Sequence, residues 1–481
     1  MRFLITAVVA MFLFAASTAR TDAREMLVPI IDGEWWQVAG DPDLGEYTRP
    51  GQQPVDFAVW QAADGTWQLW SCIRRTGCGG NKRVFHRWEG RNLTDTNWKP
   101  MGIAMEGKPE LGEMVGGMQA PHVVRHDGLY VMAYGDCVNI CFATSKDGKH
   151  FERVIQPNGK TGVFSEGRRA MTRDPMMIKI DGLWHCYYTA FTTHTRGRGY
   201  AYCRTSPDLK TWSDSFIVSY GGRVGSASLH NECPHVVEVE PGLFYFFRNQ
   251  YYGEKSLNWV YRSNNPRNFG VDNDLGFVRT LRVAAPEIIR HEGRYYMASL
   301  MKSLKGIKIA PLKWIKLPEL GDPVFDLDSA AERERWRIAE GNLAAIFTQA
   351  KGTGRYDPYD ARTKYVISTG ETPDGEFDES KTGIIESPVF TIEHESYILL
   401  ASGGRDEREV YVALTDAETG KELTRLSGPD DTPLQRYILD CQKWQGKAVR
   451  LRIVDQSRRS WGHINFGGLY NNPLNDYKNR E

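Results

Sequence analysis

Neither sign of charge predominates in this chain of 481 residues: Lys+Arg and Asp+Glu each count 60, so the formal net charge is zero. Nucleic acids and anionic membranes both call for concentrated positive charge, so neither is expected as a partner. Long apolar runs are scarce. The one at residues 3–16 follows Arg2 and leads into Ser17-Thr18-Ala19, the form of a secretory signal ending near residue 19 and too short for a comfortable membrane span. No other stretch is apolar for long enough to cross a bilayer, so the mature form is expected to have no membrane span. Cysteines number eight, and their spacings do not match a zinc site. In an exported chain the close pairs Cys72/Cys78 and Cys137/Cys141 are the best candidates for disulfides, whereas Cys186, Cys203 and Cys233 read as small buried hydrophobes. A sustained helical period is also missing over residues 27–317.

What fills that span is a repeat. PVDFAVWQAADGTWQLW starts at Pro54, QAPHVVRHDGLYVMAY at Gln119 and RDPMMIKIDGLWHCYY at Arg173; ECPHVVEVEPGLFYFF follows at Glu232 and AAPEIIRHEGRYYMAS at Ala284. Each copy is an apolar strand running into a tight turn such as Asp127-Gly128, Asp181-Gly182 or Pro241-Gly242. The copies recur every 50 to 65 residues or so, a spacing suited to four-stranded propeller blades. Between them lie polar turn clusters ending on an aromatic, at Trp98, Phe151, Trp212 and Phe269, as expected of outer hairpins. The fold class expected is all-β: a five-bladed β-propeller over 27–317, followed by a C-terminal β-sandwich over 321–481. In the second part a short charged piece, AAERERW, leads into new strands, punctuated by turns such as Asp374-Gly375, and the blade signature stops.

A propeller brings the same strand position of every blade to one axis. Acids stand at the head of three repeat strands: Asp56, Asp174 and Glu232. Cleaving a glycosidic bond calls for two carboxyl groups, one to protonate the leaving oxygen and one to act as base or nucleophile, and a third can stabilise charge or raise the acid's pKa. Any one acid beside a turn is more often a backbone cap. Their matched register is what makes them a catalytic candidate set.

Arg173-Asp174-Pro175 and Glu232-Cys233-Pro234 resemble the RDP and ECP motifs of glycoside hydrolase family 32, within the five-bladed-propeller hydrolases that also include family 43. The resemblance covers the propeller and implies Glu232 as general acid, Asp174 as transition-state stabiliser, Arg173 as a contact to sugar hydroxyls and Asp56 as the first-blade aspartate. A carboxy-terminal β-sandwich is also usual in family 32. The flanks of Asp56, Pro54-Val55-Asp56-Phe57-Ala58, depart from the Asn-Asp-Pro-Asn-Gly type of that family, which leaves open fructose against arabinose or xylose and retention against inversion. What this implies is a secreted glycoside hydrolase acting at a chain end on a furanoside, its substrate an oligo- or polysaccharide and no cofactor required. The alternatives are a carbohydrate-binding propeller without chemistry, a family 43-like inverting glycosidase, and a lyase or phosphorylase, the last needing a basic cluster for phosphate.

Further residues at equivalent strand positions are expected in the pocket. His122, His235 and Glu287 follow the strand proline, two positions beyond the site used by Asp174, and a period of two turns them toward the axis for substrate or axial-ion contact. Gln119, Trp60, Arg248 and Asn249 are looser substrate-binding candidates, and no metal ligand set is assigned. Trp461-Gly462-His463 in the second domain is read as packing rather than a carbohydrate surface.

Overall fold

A computed structural model describes residues 24–191, 197–350, 358–372 and 376–477. The expected signal at 1–19 and the Asp374-Gly375 turn lie outside them. Each repeat opens an antiparallel sheet of its own. The first contains Gln53–Gln61, Trp67–Arg74, Arg83–Gly90 and Lys99–Met105. The second begins Gln119–His126, the third Arg173–Ile180, the fourth Glu232–Glu240 and the fifth Glu287–His291. These innermost strands lie side by side around an axis, with the fifth against the first, so the sheets are the blades of a closed propeller. The fifth blade is completed from the other end of the chain: Glu25–Ile31 pairs antiparallel with Gly306–Pro318.

The turns follow from residue type. Asp127-Gly128, Asp181-Gly182 and Glu292-Gly293 all have φ between 48° and 81°, and each is flanked by directly paired residues, the geometry of two-residue hairpins whose twist matches the strands. Apolar side chains from neighbouring blades fill the interfaces, among them Trp70, Phe85 and Tyr134 between the first two blades. At about 25 cal/mol per Å² of apolar surface, this interblade burial is the main favourable contribution to the ring.

Beyond Glu319 the strands form two further sheets that face each other across a separate core including Trp336, Leu399, Ile453 and Phe466. This is the β-sandwich. Its contacts with the propeller gather on blade four, and Arg24, beside the strand Glu25–Ile31 of blade five, pairs with Asp360. Gln435 Oε1 accepts from Asp274 N–H at 3.0 Å, and Arg436 Nη1 donates to the carbonyl of Phe277 at 2.9 Å. Phe277–Leu281 is the outer strand of its blade, and an edge with unpaired carbonyls is where a buried donor is most useful. Burial pulls the Arg436 guanidinium down to about 10, still charged at neutral pH.

All eight cysteines are unpaired, so the expected Cys72/Cys78 and Cys137/Cys141 disulfides are not formed. The reason is direction. Cys72 is fully buried in the blade interface, while Cys78 sits in a loop with its thiol against Thr76 Oγ1 and the Gly79 carbonyl; Cys137 and Cys141 turn toward Gly117 O and Thr161 Oγ1 respectively. No helix among the described residues is long and apolar enough to cross a membrane.

Candidate active site

One residue in each blade head is strained in the same way. Asp56, Ala120, Asp174, Cys233 and Ala285 all have positive φ, between 40° and 58°, and four of them precede proline. In the first four blades the pairing register slips at this point, the mark of a bulge that re-aims side chains. Non-glycine residues hold such a backbone only where the surroundings over-determine it, and such strain gathers at functional sites.

The bulges bring the three predicted carboxylates to one end of the axis. Asp56 and Glu232 line a cavity of about 370 Å³, together with Gln119, Arg173 and Tyr252. Beneath it the axis narrows to a throat of about 20 Å³ between Asp56, Asp174, Cys233 and the strand prolines. Cys233 ties the group together: its N–H donates to Asp174 Oδ2 at 3.2 Å, and its thiol lies 3.4 Å from both Asp56 Oδ1 and the Tyr252 hydroxyl. The expectation of a merely packed cysteine is therefore corrected. ECP places the residue between the acids because the bulge turns it inward.

Arg173 is buried and already committed. Its Nη2 and Nε donate to Glu232 Oε1 at 2.6 and 3.0 Å, further bonds go to the Met171 and Ser228 carbonyls, and the guanidinium lies over the Phe191 ring at 4.7 Å. It thus orients Glu232 instead of standing free for sugar hydroxyls, as had been expected. Burial pushes the Asp174 carboxyl well above the usual carboxylate range, the charge of Asp56 adding to it and Arg173 opposing. Asp56 is raised too, by burial and then by the charge of Glu232, against Arg74, the Cys233 thiol and Arg83. Asp56 and Asp174 therefore titrate together, and the proton count of the pair defines its state. Burial and the neighbouring anions push the Tyr252 phenol well above its ordinary value, which keeps it a hydrogen-bond donor.

His122, His235 and Glu287 do face the axis, but from the opposite end, where a second cavity of about 530 Å³ opens. Their ligand-type atoms lie within 4.8 Å of one another, close enough to share an ion. The hydrogen bonds point elsewhere. His122 Nδ1 accepts from Met177 N–H at 3.2 Å and His235 Nε2 accepts from Ile288 N–H at 3.1 Å, so the nitrogens left to face the axis carry protons in the neutral rings. A metal would have to displace both main-chain bonds. Burial pulls His122 down to about 4, keeping that ring neutral. The place of His122 and His235 as substrate contacts of the acidic cavity is corrected, since the throat lies between; Glu287 lines both the far cavity and that throat.

Gln119 lines the acidic cavity as expected. Trp60 instead borders the far cavity, its indole N–H donating to Gly148 O at 2.8 Å. Arg248 is fully buried and bonds Ser219 Oγ and the Gly221 and Gly225 carbonyls, away from either opening. Asn249 Oδ1 accepts from Ala285 N–H at 3.1 Å, bracing one of the strained residues. In the sandwich, His463 is buried as expected of packing, while the Trp461 ring stacks on it and stays 40% exposed. Sequence reasoning missed Tyr252, Arg74 and Arg83, which also line the cavity. The charges ending two apolar strands were the only signal for the arginines.

No protein-family model matches the chain. A predicted glycosyl hydrolase of Aspergillus rugulosus is 30% identical over 87 residues, which is 18% of this chain and 12% of that protein, so the match spans about an eighth of the relative's length. Among solved structures, the fold is similar to an endo-arabinase from Bacteroides thetaiotaomicron, 14% identical over 56% of this chain and 97% of that one, with a TM-score of 0.42. A thermostable family 43 glycoside hydrolase is 16% identical over 56% of this chain and 92% of its own, with a TM-score of 0.41. A family 32 β-fructofuranosidase from Bombyx mori is 12% identical over 92% of this chain and 94% of its own, with a TM-score of 0.40.

Proposed function

We propose that the chain is an exported glycoside hydrolase that removes a terminal furanoside from an oligo- or polysaccharide by carboxylate catalysis. The observation that carries this reading is the convergence of Asp56, Asp174 and Glu232 from three blades on one cavity and the throat beneath it, two of them with carboxyls raised by burial and by neighbouring carboxylates. Glu232, oriented by Arg173, delivers a proton to the leaving oxygen. Asp56 acts at the anomeric carbon, directly or through water, and Asp174 faces the charge that develops on the ring. A cavity that ends in a throat of about 20 Å³ suits a chain end better than a continuous chain, which supports exo-action. The furanoside rests on the RDP and ECP residues at Arg173 and Glu232, and export on Arg2, the apolar stretch 3–16 and Ser17-Thr18-Ala19.

The test is turnover of the purified protein on aryl arabinofuranosides, fructofuranosides and xylosides, and on plant, algal and microbial glycans. NMR of the first product anomer assigns retention or inversion. Release of single sugars from a furanoside end is expected; internal cleavage would overturn exo-action, and saccharide binding without turnover on any substrate would overturn the hydrolase. Amino-terminal sequencing of protein recovered outside the cytoplasm, starting near residue 20, tests export.

A further inference from the structure

We propose that Arg74 and Arg83, on the wall of the acidic cavity, form a subsite for an anionic group carried by the sugar, a carboxylate or a sulfate ester. The inference rests on the glycosidase reading of the same cavity and deepens it to a substrate class. Arg74 ends the strand Trp67–Arg74, Arg83 starts the strand Arg83–Gly90, and the two are directly opposed register partners. Like charges in that position destabilise a sheet, so the pair has a price unless something negative sits between or before them.

Within the chain Asp56 acts on both arginines, and Asp174 on Arg83, through charge alone. Among the described residues neither guanidinium has a carboxylate partner within the 4.0 Å of an ion pair. Each is instead steadied by one neutral acceptor: Arg74 Nε donates to Gln53 Oε1 at 2.9 Å and Arg83 Nη1 to Asn81 O at 3.2 Å. That leaves both Nη groups of Arg74, and Nε and Nη2 of Arg83, without a described partner. Lys255 adds a third cation at the cavity rim. Of the two acids lining the same cavity, Glu232 already has Arg173 as its partner, which leaves the three cations to Asp56 on the cavity wall.

A simpler role would be to hold Asp56 ionised. The fields of both arginines do act on Asp56 in that direction, yet burial and Glu232 leave its carboxyl raised. Oriented guanidinium groups with spare parallel N–H donors are instead suited to a planar or tetrahedral oxyanion. A basic cluster thus stands on the second and third strands of blade one.

The test uses the full-length protein and measures, by calorimetry, the affinities of D-glucuronate, D-galacturonate and D-glucose 6-sulfate against D-glucose and D-galactose, with inorganic phosphate as a separate arm. The charged sugars are expected to bind about ten-fold or more tightly than their neutral counterparts, the advantage of a charge-assisted hydrogen bond. In Arg74→Gln and Arg83→Gln that ratio is expected to collapse toward one, and with added salt to fall. An unchanged ratio in folded variants overturns the proposal, as does tight binding of phosphate with no preference for charged over neutral sugar. So does a result in which the variants shift only the pH profile of hydrolysis. Charged-sugar preference without turnover of any glycoside would instead sink the hydrolase reading and leave the subsite standing.

Discussion

The two ends of the propeller axis are built from the same strands, two or three residues apart, and they carry opposite chemistry. At one end Asp56 and Asp174, their carboxyls raised, meet Glu232, and the backbone is strained at every blade. At the other, His122 and His235 have their acceptor nitrogens occupied by main-chain N–H groups, and Glu287 stands 3.6 Å from His235 Nδ1, too far for a hydrogen bond. The difference lies in where the main chain spends its hydrogen bonds. Past the bulge, regular backbone donors lock the histidines; at the bulge, Cys233 N–H is the main-chain donor recorded to a carboxylate of the trio, on Asp174. A polar cluster on an axis is therefore not by itself a reactive one. The proposed chemistry belongs to the end whose charges are left in conflict.

The sharpest way to break this contrast is at Glu232. Glu232→Gln is expected to lower kcat on unactivated glycosides by about 10²-fold or more and far less on substrates with activated leaving groups, which need little protonation. Equal losses on both would remove Glu232 from the role of acid.

Asp174 offers a thermodynamic version. Its folded carboxyl lies well above the ordinary value of 3.8, so between those two points the folded chain holds a proton the unfolded chain has released. That proton uptake makes stability fall as pH rises from about 4 through the folded value, with no difference below both. Asp174→Asn, neutral throughout and still able to accept from Cys233 N–H, is expected to match the parent in denaturant midpoint at pH 4 and to exceed it increasingly toward pH 7. Parallel curves for the two proteins would contradict the raised carboxyl.

At the histidine end the expected effects are smaller. His122→Phe removes the acceptor for Met177 N–H and should lower stability by about 1–3 kcal/mol, the consequence of an unsatisfied buried donor, while kcat on a good substrate stays near the parent value. Smallest of all, EDTA or added zinc should leave the melting temperature unchanged. A rise with zinc would mean that metal can displace the two main-chain bonds, and the contrast between the ends would have to be redrawn.

The repeat, the blade heads and the three acids were legible because strand, turn and acid recur in register, and a propeller converts register into proximity. Other features were not legible, for physical reasons. Arg248 sits beside the Asn249 that braces Ala285, but its side chain leaves on the other face of the strand to bond the loop carbonyls of Gly221 and Gly225. Arg74 and Arg83 reach the cavity from strands that carry no repeated signature. The free thiols depend on which way each strand faces, which the spacing of Cys72 and Cys78 does not encode. Blade four as the dock for the sandwich follows from one exposed edge, Phe277–Leu281, and one arginine that satisfies it.

The seam that closes the ring joins Glu25–Ile31 to Gly306–Pro318, nearly the full length of the propeller apart in the chain. A ribosome or an export channel delivers the first of these strands early and its partner only after every other blade has passed. Until then Glu25–Ile31 is an unpaired edge, and the fifth blade cannot be finished by local contacts, the kind of long-range pairing that folds slowly. Time, more than sequence, is what this strand has to survive.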